Sequence, residues 1–229
     1  MFPPIEFIDC GIKPYREMWD MQLSLFNKLV ALKRAKKPIE QEYVLMVEHE
    51  PVYTMGRHAN PANMLISPEM LMNDGIECIN IERGGDITFH GPGQLVVYPI
   101  IDLQEHALGV KQYVWVLEEA VIRTIAKYGI KGERIEDATG VWVGKGTANE
   151  RKICAIGVRV SHSITMHGFA LNVSTDLNYF NRINPCGFVD KGVTSMEAET
   201  GRHIEINEVK GDLSRFIKNY LNKSGLLEI

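Results

Sequence analysis

The sequence contains few cysteines, and their spacing suits neither a metal site nor a disulfide framework. Its 229 residues include four: Cys10, Cys78, Cys154 and Cys186. None of them forms a Cys-x-x-Cys pair, which argues against a zinc knuckle and against a disulfide-stapled fold. We expect most of these thiols to be reduced and buried in the core. Cys186 is the exception, because the neighbouring Pro185 and Gly187 favour an exposed tight turn.

The sequence also lacks an excess of positive charge and a long apolar run. Its 25 Lys and Arg against 29 Asp and Glu give a formal net charge of -4. Binding along a phosphate backbone requires a field of basic side chains, so nucleic acid is not an expected partner. No run approaches the length of a membrane span, and the N-terminal segment does not resemble a signal peptide. We therefore expect a cytoplasmic protein with no membrane partner. The sequence does not reveal the oligomeric state, for which a monomer is our expectation.

What the sequence does contain is an ordinary core-forming composition. Hydrophobic residues make up 45% and charged residues 24% of the chain, enough apolar material for a sizeable core. No linker rich in Ser, Gly or Pro divides it. We predict that residues 1–229 form a single domain.

The spacing of apolar residues predicts three long helices and a meandering sheet. Helices are predicted at 14–37, at 110–128 with Gly129 as the terminating residue, and after Asn207, and Ser67 has the chemistry of an N-cap for a short helix at 69–73. The residues between Pro51 and Gly56 are predicted as a strand or a loop edge, and strands are predicted at 43–47, 76–81, 95–103, 140–143, 152–160 and 164–173. Because only loops separate the last three, they should pair antiparallel. The expected fold class is α/β or α+β, with a mixed, largely antiparallel sheet flanked by helices.

The most distinctive segment is RGGDITFHGPGQLVVY at residues 83–98, which sets four glycines and a proline against an apolar strand. Glycine permits positive φ angles and close approach of the backbone to a ligand, and Pro92 stiffens the turn. Backbone amides freed from sheet pairing can face a bound carbonyl or anion. A glycine-rich hairpin at a sheet corner has a similar composition. The histidine and glutamine at fixed offsets favour a ligand-binding segment instead.

Common nucleotide and metal motifs do not match. GVWVGKG at 140–146 has neither the Walker spacing nor a Ser or Thr after Lys145, and the glycines at 91 and 93 lead into a strand, unlike a dinucleotide fingerprint. HEP at 49–51 is not HExxH, and His162 and His167 are poorly spaced for one metal ion. We predict no metal and no cofactor.

Covalent chemistry remains, with Cys186 as candidate nucleophile. A loop cysteine is more often passive than reactive. Lys152 changes that balance, because it opens the apolar strand ERKICAIGVRV and because an ammonium beside a thiol favours the thiolate. A lysine at this position also fits a solvated strand edge, and the sequence alone does not establish the contact.

The glycine-rich run, KICAIGV, HGFALNV and NPCG follow one another in an order that closely resembles the lipoyl(octanoyl) transferase family. The resemblance covers residues 5–220. Its specific signature is an arginine and two glycines followed by Thr88, His90, Gln94 and Tyr98, whereas a short piece such as AIG is weak alone. The resemblance implies the fold of biotin and lipoate protein ligases, a mixed sheet surrounded by helices.

The resemblance also implies the reaction. Such enzymes move an octanoyl group from octanoyl-acyl carrier protein to the ε-amine of a lysine on a lipoyl domain, the first step of endogenous protein lipoylation. The implied acceptors are lipoyl domains of 2-oxoacid dehydrogenase E2 subunits and the glycine cleavage H protein. Cys186 matches the acyl-thioester nucleophile, and Lys152 matches the residue that lowers its pKa.

Three segments match the substrate-binding segments of the family. They are Arg83, Gly84, Gly85, Asp86, Ile87, Thr88, Phe89 and His90; Ala155, Ile156 and Gly157; and Gly168, Phe169 and Ala170. The small residues of the second and third segments would leave space for an unbranched alkyl chain. Two roles are open for His90: binding substrate, or holding the glycine-rich segment through a hydrogen bond.

Two other functions remain open. An ATP-dependent lipoate or biotin ligase on the same scaffold would activate a free acid as an acyl adenylate, and it needs no cysteine at position 186. A non-catalytic carrier would only bind fatty acids. Acylation of Cys186 by an acyl carrier protein distinguishes the transferase from both.

Overall fold

A mixed eight-stranded sheet forms the centre of the protein. The computed structural model of the chain describes residues 2–184 and 192–222. The strands of this sheet are β1 (Ile5–Lys13), β2 (Glu42–His49), β6 (Gln94–Ile100), β7 (Gly132–Ile135), β8 (Ala138–Val143), β9 (Arg151–Ser161), β10 (Ile164–Asn172) and β11 (Gly192–Val193). Their order is β1-β2-β6-β10-β9-β8-β7, with β11 beside β9. Only β1–β2 and β11–β9 pair in parallel, which confirms the predicted mixed, largely antiparallel sheet.

A second, three-stranded sheet stands beside the first. It consists of β3 (Val52–Met55), β4 (Glu77–Asn80) and β5 (Ile87–His90), in the order β4-β3-β5. The strand β5 lies inside the glycine-rich segment, where the sequence analysis predicted no strand. Its antiparallel pairing with β3 fixes the position of residues 87–90 and so gives the glycine-rich segment a rigid support.

Helices cover the large sheet on both faces. The described part of the chain contains five α-helices: α1 (Tyr15–Arg34), α2 (Pro68–Asn73), α3 (Val110–Ala126), α4 (Met196–Thr200) and α5 (Ile206–Leu221). One face packs on α1 through side chains such as Met18 and Leu29, and the other packs on α3 and α5 through side chains such as Leu117 and Leu213. The three long helices and the short helix capped by Ser67 lie where the sequence predicted them. On α5, Ile217 and Leu221 are fully buried, whereas Phe216 and Tyr220 are only partly buried.

The cysteine prediction needs a correction. Cys154 is buried in the core and Cys10 is half-buried, but Cys78 is exposed, and all three are free thiols. Cys78 lies on β4, an edge strand of the small sheet that buries only Ile79. The apolar residues near Cys78 in the sequence therefore do not indicate that its side chain is buried. Among the described residues, no helix is both long and apolar enough to span a membrane.

Candidate functional site

A cavity of about 540 Å³ lies between the glycine-rich segment and the strands β6, β9 and β10. Its walls include all three predicted substrate-binding segments and Lys152. Phe89 is the exception among the predicted residues: its ring stacks on Tyr179, with centroids 4.4 Å apart, and packs edge-on against Phe180 in a separate core cluster. The other predicted residues of the three segments therefore share one cavity, and Phe89 supports it from behind.

Two glycines in the cavity wall allow neighbouring backbone to pack closely against them and do not widen the cavity. A Cβ on Gly157 would lie 2.7 Å from the carbonyl oxygen of Gly84, and a Cβ on Gly168 would lie 2.1 Å from that of Val97. The amide of Gly84 donates to the Val158 carbonyl at 3.2 Å. Glycine at 157 thus lets the glycine-rich segment dock directly on β9. The two glycines consequently differ from the expectation that these small residues leave space for an alkyl chain.

The four glycines at 84, 85, 91 and 93 do not behave alike. Gly85 and Gly93 adopt positive φ angles of 88° and 79°, whereas the other two do not. The Gly93 amide donates to the Glu48 carboxylate at 2.9 Å. The carboxylate of Asp86, at the start of β5, accepts from the amides of Ile87 and Asn60 at 2.7 and 3.1 Å. These hydrogen bonds fix the conformation of the glycine-rich segment.

A β-bulge turns Lys152 towards the cavity. In the pairing of β8 with β9, Val141 faces Cys154 but the next residue, Trp142, faces Lys152, so β9 carries an extra residue, Ile153. Ile153 and Cys154 accordingly both pack in the same core cluster, although consecutive side chains of a regular strand point to opposite faces. As a result Lys152 borders the cavity together with Ala155 and Gly157. Its Nζ lies 4.7 Å from the centre of the buried Trp142 ring, a cation–π contact.

Arg83 is buried at the end of the glycine-rich segment. Its Nε and Nη2 donate to the Thr54 hydroxyl at 3.2 and 3.0 Å, Nη2 also donates to the Thr54 carbonyl at 2.6 Å, and Nη1 donates to the Gly84 carbonyl at 3.0 Å. Because Thr54 lies on β3, the guanidinium ties the segment to the small sheet. This arginine shapes the cavity wall through its fork of donors.

A one-way chain of hydrogen bonds continues from Thr54 along the cavity wall. The Thr54 hydroxyl already accepts from Arg83, so it donates to His90 Nε2 at 3.3 Å. His90 Nδ1 then donates to Gln94 Oε1 at 2.8 Å, and Gln94 Nε2 donates to Asn172 Oδ1 at 2.9 Å. This direction requires a neutral His90 protonated on Nδ1.

The same chain reaches the strand of the candidate lysine. Asn172 Nδ2 donates to the Thr194 carbonyl at 3.0 Å, and the Thr194 amide donates to the Lys152 carbonyl at 2.9 Å. Complete burial is the main cause that holds the pKa of His90 well below its ordinary value. His90 therefore borders the cavity and also holds the glycine-rich segment by hydrogen bonds. Gln94 and Asn172 are members of this network that the predicted substrate-binding segments did not include.

A second buried histidine supports the same wall. His49 Nδ1 donates to the Lys13 carbonyl at 3.0 Å, so Nε2 accepts from the Tyr98 hydroxyl at 2.7 Å. Burial lowers the pKa of His49 to about 4, and the ring is neutral at pH 7. The tyrosine of the family signature thus has a structural partner that the sequence spacing did not indicate.

His167 is a third buried histidine, and the sequence analysis considered it only as a metal ligand. Its side chain is 1% exposed and borders the cavity. Among the described residues, neither ring nitrogen has a hydrogen-bond partner. The residue adopts φ 59° within β10, an uncommon conformation for a residue other than glycine. No periodicity or spacing in the sequence reveals such strain.

Cys186, the predicted nucleophile, lies outside the described residues, within the segment 185–191. The flanking ends of that segment are placed: Asn184 donates its amide to the Asn63 carbonyl, and β11 pairs with β9 at Lys152 and Arg151. Within 2–184 and 192–222, no three His, Cys, Asp or Glu side chains form a group suited to a metal ion. The described residues of the site thus include Lys152, the buried Arg83, neutral histidines and apolar surface.

Comparison with known proteins shows the family of this chain. The model of the lipoyl protein ligase A/B catalytic domain matches residues 14–218. An octanoyltransferase of Bacteroides fragilis is 53% identical over 207 residues, 90% of this chain and 93% of that protein. The chain belongs to the octanoyltransferase family. A member of this family is an acyltransferase, and lipoyl or octanoyl transfer is its class of reaction.

Solved structures show that this chain has the fold of the ligases. A bipartite lipoate protein ligase from Thermoplasma acidophilum superposes with a TM-score of 0.69 at 17% identity, covering 96% of this chain and 84% of that one. The biotin protein ligase of Aquifex aeolicus, solved with biotin and ATP, gives a TM-score of 0.53 at 14% identity over 97% and 72% of the two chains. The fold implied by the sequence resemblance is confirmed.

Proposed function

We propose that this octanoyltransferase moves an octanoyl group from octanoyl-acyl carrier protein to a lysine of a lipoyl domain, through a thioester on Cys186. The observation that carries the proposal is the orientation of Lys152. In a family of this activity, a bulge turns the one lysine of KICAIGV into the cavity that the substrate-binding segments line. The Thermoplasma ligase is described together with its E2 lipoyl domain, which supports a lipoyl-domain acceptor here.

The reaction has two balanced acyl transfers. In the first, the Cys186 thiolate attacks the thioester carbonyl, a new C–S bond forms, the old one breaks, and Lys152 protonates the departing carrier thiol. In the second, the acceptor amine attacks the Cys186 thioester, Lys152 accepts the amine proton, and the cysteine leaves as thiolate. Exchange between thioesters is nearly balanced and amide formation from a thioester is downhill, so neither step needs ATP.

Both steps pass through a tetrahedral oxyanion. We expect backbone amides near Cys186 or in the glycine-rich segment to stabilise it, with a contribution of about 3 to 4 kcal/mol for one well-placed donor. The amides of Gly84 and Gly93 already donate to Val158 and Glu48, so other amides of this region are the better candidates.

The cavity suits an acyl chain. Between Lys152 and the buried histidines its wall is mainly apolar, with Val96, Ala155, Ile156 and Ala170 among the lining residues. Burial of a methylene group contributes about 0.8 kcal/mol, so an octanoyl chain gains substantial binding free energy from such a wall. A cationic lysine beside the apolar part favours a reactive thiolate at the carbonyl end of the chain.

The proposal is tested by mass spectrometry of the protein after incubation with octanoyl-acyl carrier protein. An octanoyl adduct is expected on Cys186, and Cys186→Ala should abolish it and reduce transfer to a lipoyl domain at least about a thousandfold. The matched control is Cys78→Ala, because Cys78 is an exposed thiol outside the cavity. An unmodified Cys186 with ATP-dependent turnover would favour the ligase, and octanoate binding without transfer would favour a carrier.

The role of Lys152 is tested by the reaction of Cys186 with iodoacetamide across pH, in a Cys78→Ala background. Lys152→Ala should shift the alkylation profile to higher pH, because the ammonium that stabilises the thiolate is gone. Lys152→Arg should restore the profile but not the transfer, since arginine keeps the charge and does not exchange its proton. The exposed Lys145 provides the control variant Lys145→Ala. An alkylation profile that Lys152→Ala leaves unchanged would remove Lys152 from the mechanism.

A further inference from the structure

His167 combines three unusual properties at one position of the cavity wall. Its imidazole is fully buried, has no hydrogen-bond partner among the described residues, and stands on a backbone with φ 59°. Buried polar groups usually have hydrogen-bond partners. A left-handed backbone conformation at a residue other than glycine lowers the stability of the fold. Both properties lower the stability of the folded protein. Their occurrence together in a cavity wall therefore indicates that His167 has a function other than stabilising the fold.

The local fold shows how the strain is maintained. The regular pairing of β10 with β6 ends at Phe169 and Val97, and Pro99 on β6, next in line, has no N–H to offer the ladder. The amide of His167 donates instead to the side chain of Gln22 on α1, at 3.1 Å. The interruption frees this residue from the alternation of the strand and lets its ring border the cavity.

His167 lies at the opposite end of the cavity from Lys152. His167 pairs with Val158 of β9, which is six residues beyond Lys152 along that strand. Along β10, His167 is five residues from Asn172, whose side chain donates to the carbonyl of Thr194 beside the strand of Lys152. At a rise of about 3.3 Å per residue, these separations correspond to roughly 15 to 20 Å. Arg83 and Tyr98 also border the cavity, and Arg83 lies near enough for its charge to act on the His167 imidazole.

The wall between the two ends suits an alkyl chain. Ala155 and Ala170 provide small side chains there, and Ile156 and Phe169 add apolar surface. An extended octanoyl group spans roughly 10 Å from its carbonyl carbon to its methyl group, by the lengths of its C–C bonds. The thioester lies at the Lys152 end of the cavity. Because the side chains of Lys152 and His167 fill part of the roughly 15 to 20 Å between the two ends, the methyl group of the octanoyl chain comes close to the imidazole.

We propose that His167 sets the upper limit of acyl-chain length, by closing the far end of the cavity with a polar ring that a longer alkyl chain would have to desolvate. The inference rests on the proposed function, since it concerns the acyl group of that reaction. An imidazole without a protein partner keeps its hydrogen-bonding capacity for water, and an octanoyl chain leaves that capacity intact. A longer chain removes water from both ring nitrogens and offers them no partner.

The electrostatic surroundings support a neutral closing group. Burial is the main cause that lowers the pKa of His167 to about 3, and Arg83 and Arg159 add repulsion of a charged imidazolium. A neutral ring with one donor and one acceptor is polar enough to reject a methylene group. It is not charged, so it attracts no fatty-acid carboxylate into the cavity by itself.

The test measures transfer from acyl carrier protein loaded with C6, C8, C10 or C12 chains to a lipoyl domain. The natural protein should prefer C8. His167→Gly, which suits the positive φ, should raise the ratio of C12 to C8 transfer at least tenfold. His167→Asn tolerates the same conformation and keeps a polar but shorter side chain, so it should extend the preference only to C10. Both variants are also examined by circular dichroism for a folded state.

Met166→Ala is the matched control, because Met166 precedes His167 on β10 and is buried on α1 without bordering the cavity. It should leave the chain-length ratios unchanged even where it lowers the total rate. If folded His167→Gly and His167→Asn lower all rates in the same proportion, His167 has only a structural role and the inference is overturned. If the natural protein transfers no chain of any length, the proposed function itself fails.

Discussion

Four histidines are buried, and they fall into two groups whose pKa values shift in opposite directions. His90 and His167 border the cavity, His49 packs against His90 behind the cavity wall, and the pKa of each of these three cavity histidines is lowered, mainly by burial. His106 is equally inaccessible, at 0% exposure, yet its pKa is raised. Burial alone therefore does not decide the charge of a histidine in this protein.

The difference lies in the partners of the ring. His106 Nε2 lies 2.7 Å from the buried Glu42 carboxylate, and Nδ1 lies 3.1 Å from the Leu221 carbonyl. Both partners can only accept, so both nitrogens donate, which requires an imidazolium. Burial by itself lowers the pKa of His106, and the hydrogen bond and charge of Glu42 outweigh it. The cavity histidines have hydroxyl and amide partners, or none, and remain neutral.

Removing the carboxylate should produce the largest effect and eliminate the difference between the groups. Glu42 accepts both from His106 and from the Asp102 amide at 2.7 Å. Glu42→Ala leaves both donors buried without that acceptor, and we expect a loss of about 3 to 5 kcal/mol in the free energy of unfolding. Urea denaturation at pH 7 measures it.

Two further variants sharpen this result. Glu42→Gln keeps one acceptor oxygen and should cost about 1 to 3 kcal/mol, and NMR titration should then find the pKa of His106 below 6.5, as for the cavity histidines. Glu40→Ala is the control, because Glu40 is exposed, and it should change stability by no more than about 0.5 kcal/mol. A His106 that still titrates above 6.5 in Glu42→Gln would show that the carboxylate is not the cause.

The second prediction concerns acid destabilisation by the cavity histidines. Their folded-state pKa values lie below the ordinary 6.5, so between these values the unfolded chain binds protons that the folded chain does not. The free energy of unfolding must therefore fall as the pH falls below 6.5. At pH 5, His49 and His167, whose folded-state pKa values are about 4 and about 3, each contribute a loss of about 2 kcal/mol.

His49→Gln isolates one member of the group. The variant should reduce the slope of unfolding free energy against pH, between pH 6.5 and 5, by up to about 1.4 kcal/mol per pH unit, because one linked proton is lost. The slope, rather than the stability at pH 7, is the readout, since the substitution also alters the bonds to Lys13 and Tyr98. The exposed His58 gives the control His58→Gln. Equal slopes in the natural protein and in His49→Gln would contradict a neutral buried His49.

The contrast between these regions also shows how far sequence analysis reaches. Helical periodicity reports burial of a continuous face, so α1, α3 and α5 were predictable. The strands β1 and β7 were missed, because β1 is only partly buried and carries acids, and β7 has four residues. The strand β5 was missed because glycines dominate its neighbourhood.

The site was predictable as segments but not as contacts. The glycine-rich run, AIG and GFA border one cavity, as the sequence led us to expect. The bulge at Ile153, the hydrogen-bond chain from Thr54 to Asn172 and the strain of His167 all depend on neighbours distant in sequence. Whether a buried histidine is charged depends on the same distant neighbours. The contact between Lys152 and Cys186 stays a prediction, because Cys186 lies outside the described residues.

The smallest expected effect lies on the alkaline side and concerns His106 alone. Its folded-state pKa is raised above the unfolded value, so its contribution to stability is fully present below pH 6.5 and is lost as the pH rises through the folded-state pKa. His106→Gln removes this titration, and its free energy of unfolding should fall less steeply than that of the natural protein as the pH rises above 6.5. Urea denaturation at half-unit intervals from pH 6 to 9 measures the difference. Because thiols and surface lysines titrate equally in both proteins, their contributions cancel in the comparison. Parallel curves would mean that His106 is neutral beside Glu42 and that all four buried histidines belong to one group.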